Sequence, residues 1–173
     1  MPYGANFDFD CRGFWSTAQL FHGERHEWNE RHVFRRSHEH GCPRIEARVG
    51  DTVRIRFKNS LPEPTTIHWH GLRVPAAMDG TAVAQAPVPP GGEFTYEFIV
   101  PDAGTFWYHP HVRSNEQVER GLYGAFIVRG DNEPTTTTDR AVVLDDLLVD
   151  PSTWQIEPFD VMQEAMVGRE GNL

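Results

Sequence analysis

Two His-X-His segments are the parts of this 173-residue chain whose residue types and spacing best suit chemistry. They are His68-Trp69-His70 and His109-Pro110-His111. Side chains at positions i and i+2 of a β-strand project from the same face, so each segment presents two imidazoles together. Neutral imidazole binds copper, zinc and iron. Two such strands side by side would gather four imidazoles into one small volume, which predicts a metal site.

A single His-X-His segment is more often structural than metal-binding, so the prediction depends on the pair. Both segments stand at the ends of predicted strands, next to aromatic residues or glycine. Trp69 is expected to point to the opposite face and pack in the core. Trp107 and Tyr108 are most simply core and rim aromatics. The predicted metal ligands are therefore His68, His70, His109 and His111.

Alternating hydrophobic and polar residues define the strands that would hold these histidines. The alternation is strict over 52–58, and similar patterns cover 44–49 and 93–100. A long loop rich in proline, alanine and glycine covers 72–91. Strands at this spacing, without a long helical period, predict an antiparallel β-sandwich. Further short strands are expected at 66–70, 105–109, 121–128 and 140–144.

The net charge of −9 is concentrated at one end of the chain. Residues 130–173 contain ten acidic and two basic residues, whereas the charges of 44–129 balance. This distribution argues against nucleic acid and anionic membranes as partners. No apolar run approaches the ~20 residues of a membrane span, and the start of the chain has no basic and apolar signal sequence. The cellular compartment stays open.

Residues 1–43 differ from the rest of the chain. They are dense in histidine, arginine, tryptophan and glutamate and have weak periodicity. His22 and His26 have the i, i+4 spacing of one helix face, but the simplest interpretation is a polar, partly disordered arm with incidental histidines. Cys11 and Cys42 form either one disulfide or two free thiols.

From Gly41 onward, the order of the motifs resembles the first cupredoxin domain of bacterial laccase-like multicopper oxidases. The resemblance implies a cupredoxin-like Greek-key β-sandwich over 44–150, followed by a tail over 151–173 that leads toward a second domain. The motifs that carry it are Thr66-Ile67-His68-Trp69-His70-Gly71-Leu72, Met78-Asp79-Gly80, Pro89-Pro90-Gly91, Gly104-Thr105-Phe106-Trp107-Tyr108-His109-Pro110-His111 and Gly121-Leu122-Tyr123-Gly124.

The resemblance also implies roles by position. In that family, four His-rich motifs build a trinuclear copper cluster between the first and last domains. His68 would bind the type 2 copper. His70 and His109 would bind one type 3 copper, and His111 would bind the other. Asp79 matches an acidic residue that assists proton delivery while dioxygen is reduced to water; the alternative is a simple turn residue.

Two departures from the family pattern limit this assignment. The His-Cys-His segment that supplies the type 1 copper is absent, and no cysteine follows Cys42. The expected cofactor is therefore copper at type 2 and type 3 sites only, with half of the family's cluster ligands. The chain also lacks the family's usual start, so we expect a frameshift or an unrelated fusion ahead of about residue 43. Its last residues resemble the family's approach to a second domain, so we also expect an N-terminal fragment or a truncated gene.

The implied function is that of a laccase-like oxidase, which takes single electrons from phenols, aromatic amines or metal ions and reduces dioxygen to water. Completing the cluster would require missing cupredoxin domains or self-association. The family suggests a secreted or periplasmic protein. The alternative is a non-catalytic fragment that binds copper or zinc through its four histidines and associates through an exposed domain surface.

Overall fold

The structure is a computed structural model. It describes the backbones of three strands within residues 1–43, and beyond them residues 44–131, 133–144, 146, 148–152, 157–159 and 169–172. The chain divides into two compact units, Met1–Thr137 and Thr138–Leu173. Within these described residues, no helix is long and apolar enough to cross a membrane.

The regular secondary structure described in the first unit is mostly β-strand, with one short α-helix, α1 (Ser114–Glu119), and one 3-10 turn at Ala76–Met78. The strands are β1 (Gly4–Asp10), β2 (Gln19–Leu20), β3 (Arg31–His32), β4 (Ile45–Arg48), β5 (Thr52–Lys58), β6 (His68–His70), β7 (Glu93–Ile99), β8 (Gly104–His109) and β9 (Gly124–Arg129).

Two sheets hold most of these strands. One has the order β1-β5-β7 and the other the order β4-β9-β8-β6, while β2 and β3 pair only with each other. Strand β5 shows why the sheets pack face to face. Val53, Ile55 and Phe57 are buried, and the charged residues between them are exposed, as their strict alternation predicts.

Trp69 lies at the centre of the core between the two sheets and is fully buried. Its ring lies 5.2 Å from the ring of Tyr96 and 5.2 Å from that of Phe98, both on β7 of the opposite sheet. Tyr108 and Phe126 complete the aromatic cluster from its own sheet. The prediction of an all-β, cupredoxin-like sandwich is confirmed.

The sheets are mixed, and two strand pairs depart from the antiparallel pairing that the sequence predicts. Strand β4 pairs with β9 in parallel, and β1 pairs with β5 in parallel. After Arg48, a turn at Gly50 with φ of +87° carries the chain into the other sheet. Strands β4 and β5 therefore do not form the hairpin that their short connection suggests, and each pairs with a strand distant in sequence.

The predicted strand over 140–144 is wrong. These residues form no strand, and the side chains of Val142 and Leu144 are 76% and 92% exposed. A run of β-branched residues becomes a strand only where a sheet edge accepts it. The helical turn expected over 159–167 falls mostly outside the described residues.

Strand β1 lies in the arm where the sequence predicted little strand structure. It pairs along the whole of β5, from Gly4 opposite Thr52 to Asp10 opposite Lys58. Its sequence Asn-Phe-Asp-Phe-Asp is a short period-two pattern that the composition of the arm obscures. The side chains of Cys11, Cys42, His22 and His26 lie outside the described residues, so the disulfide, the arm's possible metal site and the frameshift remain predictions.

Candidate metal centre

Pairing of β6 with β8 brings the two His-X-His segments together. In their antiparallel register, His68 stands opposite His109 and His70 stands opposite Trp107. His111 lies two residues beyond the end of β8. The structure therefore places the two segments side by side, which is the arrangement that the prediction of one metal site required, and gathers all four histidines.

His68 lies at the centre of the histidine cluster. Its ring centroid is 5.7 Å from that of His70, 5.4 Å from that of His109 and 4.4 Å from that of His111. One ring nitrogen from each of His68, His109 and His111 lies within 4.8 Å of the other two. His70 joins the cluster through Nδ1, which lies 3.1 Å from Nε2 of His109.

Two backbone carbonyls orient the imidazoles of His68 and His109. His68 Nδ1 lies 2.8 Å from the carbonyl oxygen of Asp79, and His109 Nδ1 lies 2.9 Å from that of Pro110. A carbonyl oxygen only accepts, so each ring donates from Nδ1 and keeps its lone pair on Nε2. Metal-binding histidines commonly donate their second ring nitrogen in this way, which fixes the ring orientation.

The contact between His70 and His109 follows from these tautomers. Because Nε2 of His109 carries a lone pair, the Nδ1–H group of His70 donates to it across 3.1 Å. Binding a metal through both of these nitrogens would require that proton to move to Nε2 of His70. Metal binding at this pair would therefore change the tautomer of His70 and not its charge.

Burial keeps the deeper part of the cluster uncharged. The pKa of His109 is lowered to about 4 chiefly by this burial, with a smaller contribution from the neighbouring imidazoles, while the hydrogen bond to Pro110 acts in the opposite direction. Burial also lowers the pKa of His111, and the proximity of His68 adds to this effect. Neutral imidazole is the form that binds metals, so both side chains are in their ligand form near neutral pH.

Asp79 contacts His68 with its side chain as well as its backbone. Its Oδ1 atom lies 3.3 Å from His68 Nδ1. The loop that carries it is tied to β6, because Trp69 Nε1 donates to the carbonyl oxygen of Met78 at 3.0 Å. Gly80 has φ of +75°, and a Cβ there would overlap the carbonyl oxygen of Ile67. This glycine therefore allows the loop to lie directly against the start of β6.

Trp107 covers the outer side of the cluster. Its ring stacks on His109 at 4.1 Å with an angle of 25° between the planes, and it lies 4.9 Å from the ring of His70. Its side chain is 38% exposed, whereas that of Tyr108 is buried in the core. Trp107 is therefore the rim aromatic and Tyr108 the core aromatic, and nothing in the sequence indicates the stacking of Trp107 on His109.

Other residues around the cluster could not be identified from the sequence. Thr66 accepts a hydrogen bond from the backbone N–H of His111 at 3.2 Å. Gln117, on α1, is fully buried and bonds to Thr65. A lone threonine or glutamine near a motif carries no local signal, because its role depends on a partner some fifty positions away.

Comparisons with known proteins agree with this geometry. The family model described as multicopper oxidase matches residues 24–133. Multicopper oxidase MmcO of Mycobacterium tuberculosis is 45% identical over 105 residues, which cover 60% of this chain and 20% of that protein. Laccase-2 of Cryptococcus neoformans is 41% identical over 138 residues, which cover 75% of this chain and 22% of that protein.

A solved structure extends the similarity to the fold. The multi-copper oxidase from Pseudomonas thermotolerans superposes with a TM-score of 0.76 at 34% identity, covering 100% of this chain and 41% of that one. The chain spans about a fifth of the length of the curated relatives named above. The match runs through both His-X-His segments and the sandwich that positions them, and on this evidence the chain belongs to the copper-binding multicopper oxidase family.

Proposed function

We propose that this domain binds copper through His68, His70, His109 and His111 and supplies half of the ligands of a trinuclear cluster. In this proposal His68 is the type 2 ligand. His70 and His109 share one type 3 copper, and His111 binds the other. The observation that carries the proposal is the register of β6 and β8, which sets His68 opposite His109.

The donor set supports copper at these sites. All four candidate ligands are imidazoles, which suit copper well, and the Nδ1 hydrogen bonds of His68 and His109 leave the lone pair of each ring on Nε2. A blue type 1 site needs a cysteine thiolate. No cysteine follows Cys42 in the sequence, so the proposed copper content is restricted to type 2 and type 3 ligands.

The activity proposed for the whole protein is a laccase-like oxidation of phenols, aromatic amines or metal ions, coupled to the reduction of dioxygen to water. Copper, when bound, supplies the one-electron chemistry. The residues of this chain orient the imidazoles of His68 and His109, and burial keeps those of His109 and His111 neutral. Dioxygen reduction also consumes protons, and the Asp79 carboxylate, 3.3 Å from His68 Nδ1, is placed to hold one beside the cluster.

In this proposal, the other half of the cluster ligands are residues other than His68, His70, His109 and His111. We propose that further cupredoxin domains, or a second copy of the chain, provide them. The proposed organisation is an arm over 1–43, the copper-binding domain over 44–150 and a connecting tail over 151–173. The proposed location is secreted or periplasmic, and neither nucleic acid nor a membrane is a proposed partner.

Copper titration of a double variant, His70→Ala with His109→Ala, tests the ligand assignment. We expect tight copper binding to be lost. The matched control is His22→Ala with His26→Ala, which removes two histidines of the arm and should leave the affinity unchanged. If instead the control loses copper and the first variant keeps it, the arm is the metal site and the assignment is wrong.

Oxidation of a phenolic dye separates the enzymatic proposal from the alternative of a non-catalytic copper or zinc fragment. The purified chain, loaded with copper, is compared with an equal concentration of free copper ions. Turnover above the free ions that disappears in the double variant supports an oxidase site in this chain. Turnover no greater than that of free ions favours the binding fragment.

A further inference from the structure

His111 is the one candidate ligand that strand pairing does not hold. The ladder between β6 and β8 ends at the pair His68 and His109. The next residue, Pro110, has no N–H group with which to extend it. The position of His111 must therefore be fixed by other contacts.

The first such contact is made by the residue that precedes β6 by two positions. Thr66 is buried, and its Oγ1 accepts a hydrogen bond from the backbone N–H of His111 at 3.2 Å. This bond continues the connection between the two His-X-His segments past the end of the ladder. It requires that residues 64–66 and 110–117 stay together.

Gln117 joins those two segments. Its Nε2 donates to the carbonyl oxygen of Pro64 at 3.1 Å, and its Oε1 accepts a hydrogen bond from Thr65 Oγ1 at 2.7 Å. The side chain is fully buried, and both ends of its amide are paired. Losing either partner would leave a buried polar group unsatisfied.

The short helix α1 also has an exposed link to the same segment, because Arg113 at its start donates from Nη1 to Glu63 Oε2 at 2.7 Å. Its six residues are too few for a stable isolated helix, and Gln117 is its only buried residue. At its start, Ser114 Oγ donates to the carbonyl oxygen of Pro110 at 2.8 Å, the same atom that accepts from His109 Nδ1. The helix is thus attached to the metal cluster by polar contacts and not by an apolar face.

We propose that Gln117 is a positioning residue for His111. By tying α1 to residues 64–65, it keeps Thr66 in reach of the His111 backbone and sets where the His111 imidazole meets the cluster. This inference rests on the proposed copper function for its consequence, but the positioning itself is a property of the metal-free chain.

The variant Gln117→Met tests the proposal, because methionine is unbranched and of similar length but forms neither hydrogen bond. In the metal-free protein, we expect hydrogen exchange of the His111 amide to accelerate by about tenfold or more. Amides of the β5–β7 ladder should exchange at the rate of the unsubstituted chain. Unchanged exchange at His111 would overturn the proposal.

Copper affinity gives the second readout. Gln117→Met should weaken copper binding by about 10- to 100-fold, as is usual when a group that orients a metal ligand is lost. In a His111→Ala background the same substitution should have no further effect. An equal loss in both backgrounds would mean that Gln117 supports the fold as a whole, which would also overturn the proposal.

Gln85→Met is the matched control for losing a buried glutamine. Gln85 is 6% exposed and its Nε2 bonds to Tyr96 Oη at 3.0 Å, so we expect destabilisation without accelerated exchange at His111. Should Gln117→Met fail to fold, Thr65→Val removes one end of the same link at nearly constant volume, with the same expected and contradicting results.

The two proposals can fail separately. Suppose that the unsubstituted chain binds no copper through its four histidines, but Gln117→Met still accelerates hydrogen exchange of the His111 amide. The copper function is then wrong and the positioning role stands. If copper binds as proposed but neither readout responds to Gln117→Met, the positioning role is wrong and the copper function stands.

Discussion

Replacing Gly80 by alanine tests whether the loop that carries Asp79 orients His68. Gly80 has φ of +75°, a conformation that costs a residue with a Cβ about 1–2 kcal/mol. The new Cβ would also overlap the carbonyl oxygen of Ile67 and lie 2.9 Å from the backbone nitrogen of His68. Forced displacement of packed groups costs about 1–3 kcal/mol more, so the free energy of unfolding should fall by roughly 2–5 kcal/mol.

Gly91→Ala provides the control. Gly91 has nearly the same φ, +74°, but a Cβ there meets nothing within 4 Å. The free energy of unfolding of Gly91→Ala should therefore fall only by the cost of the backbone conformation, about 1–2 kcal/mol. Urea unfolding of both variants and of the unsubstituted chain separates the cost of the backbone conformation, which both variants share, from the cost of the overlap, which only Gly80→Ala has.

Copper affinity then shows whether the displacement caused by the new Cβ extends to the histidine cluster. The atoms that must move include the start of β6, so the bond from His68 Nδ1 to the Asp79 carbonyl oxygen should be lost in Gly80→Ala. We expect copper binding to weaken about 10- to 100-fold in that variant and to stay unchanged in Gly91→Ala. Equal losses of stability and affinity in the two variants would refute the role given to Gly80.

Three further predictions concern the protonation of His109, the aromatic ring stacked on it and an exposed ion pair. The pKa of His109 is about 4 in the folded chain and 6.5 for the ordinary side chain, so the unfolded state binds more protons between these two values. The metal-free chain should therefore lose up to about 3 kcal/mol of its free energy of unfolding as pH falls through this range. In His109→Gln, the stability measured by urea unfolding should depend less on pH. Trp107→Ala removes the stacked cover of His109, so NMR titration should give a His109 pKa closer to its ordinary value; an unchanged pKa would contradict the assigned cause. The ion pair of Arg73 with Asp102 is exposed, so Arg73→Ala should leave both the urea midpoint and copper affinity unaltered, and a clear shift in either would show an unrecognised role.

Local periodicity explains how much of the site could be predicted. A strand places i and i+2 on one face, so the sequence of each His-X-His segment already pairs its two imidazoles. The strict alternation over 52–58 likewise predicted β5 with its observed bounds and buried face. Both features depend only on neighbours along the chain.

Long-range pairing explains what could not be predicted. Nothing in 140–144 indicates that no sheet edge accepts it, and nothing in β4 indicates that its partner β9 runs parallel. The contacts of Gln117 are of the same kind, since its partners lie at Pro64 and Thr65. Such residues look like ordinary helix or loop positions until the fold brings their partners close.

The number of imidazole nitrogens bound to one Cu(II) ion, measured by pulsed EPR on the copper-loaded chain, tests the central claim most directly. The claim is that β6 and β8 together form one metal site. We predict two imidazoles on that ion, from His70 of β6 and His109 of β8, falling to one when His109 and His111 are both replaced by alanine. An imidazole count that is the same in the two proteins would contradict the claim.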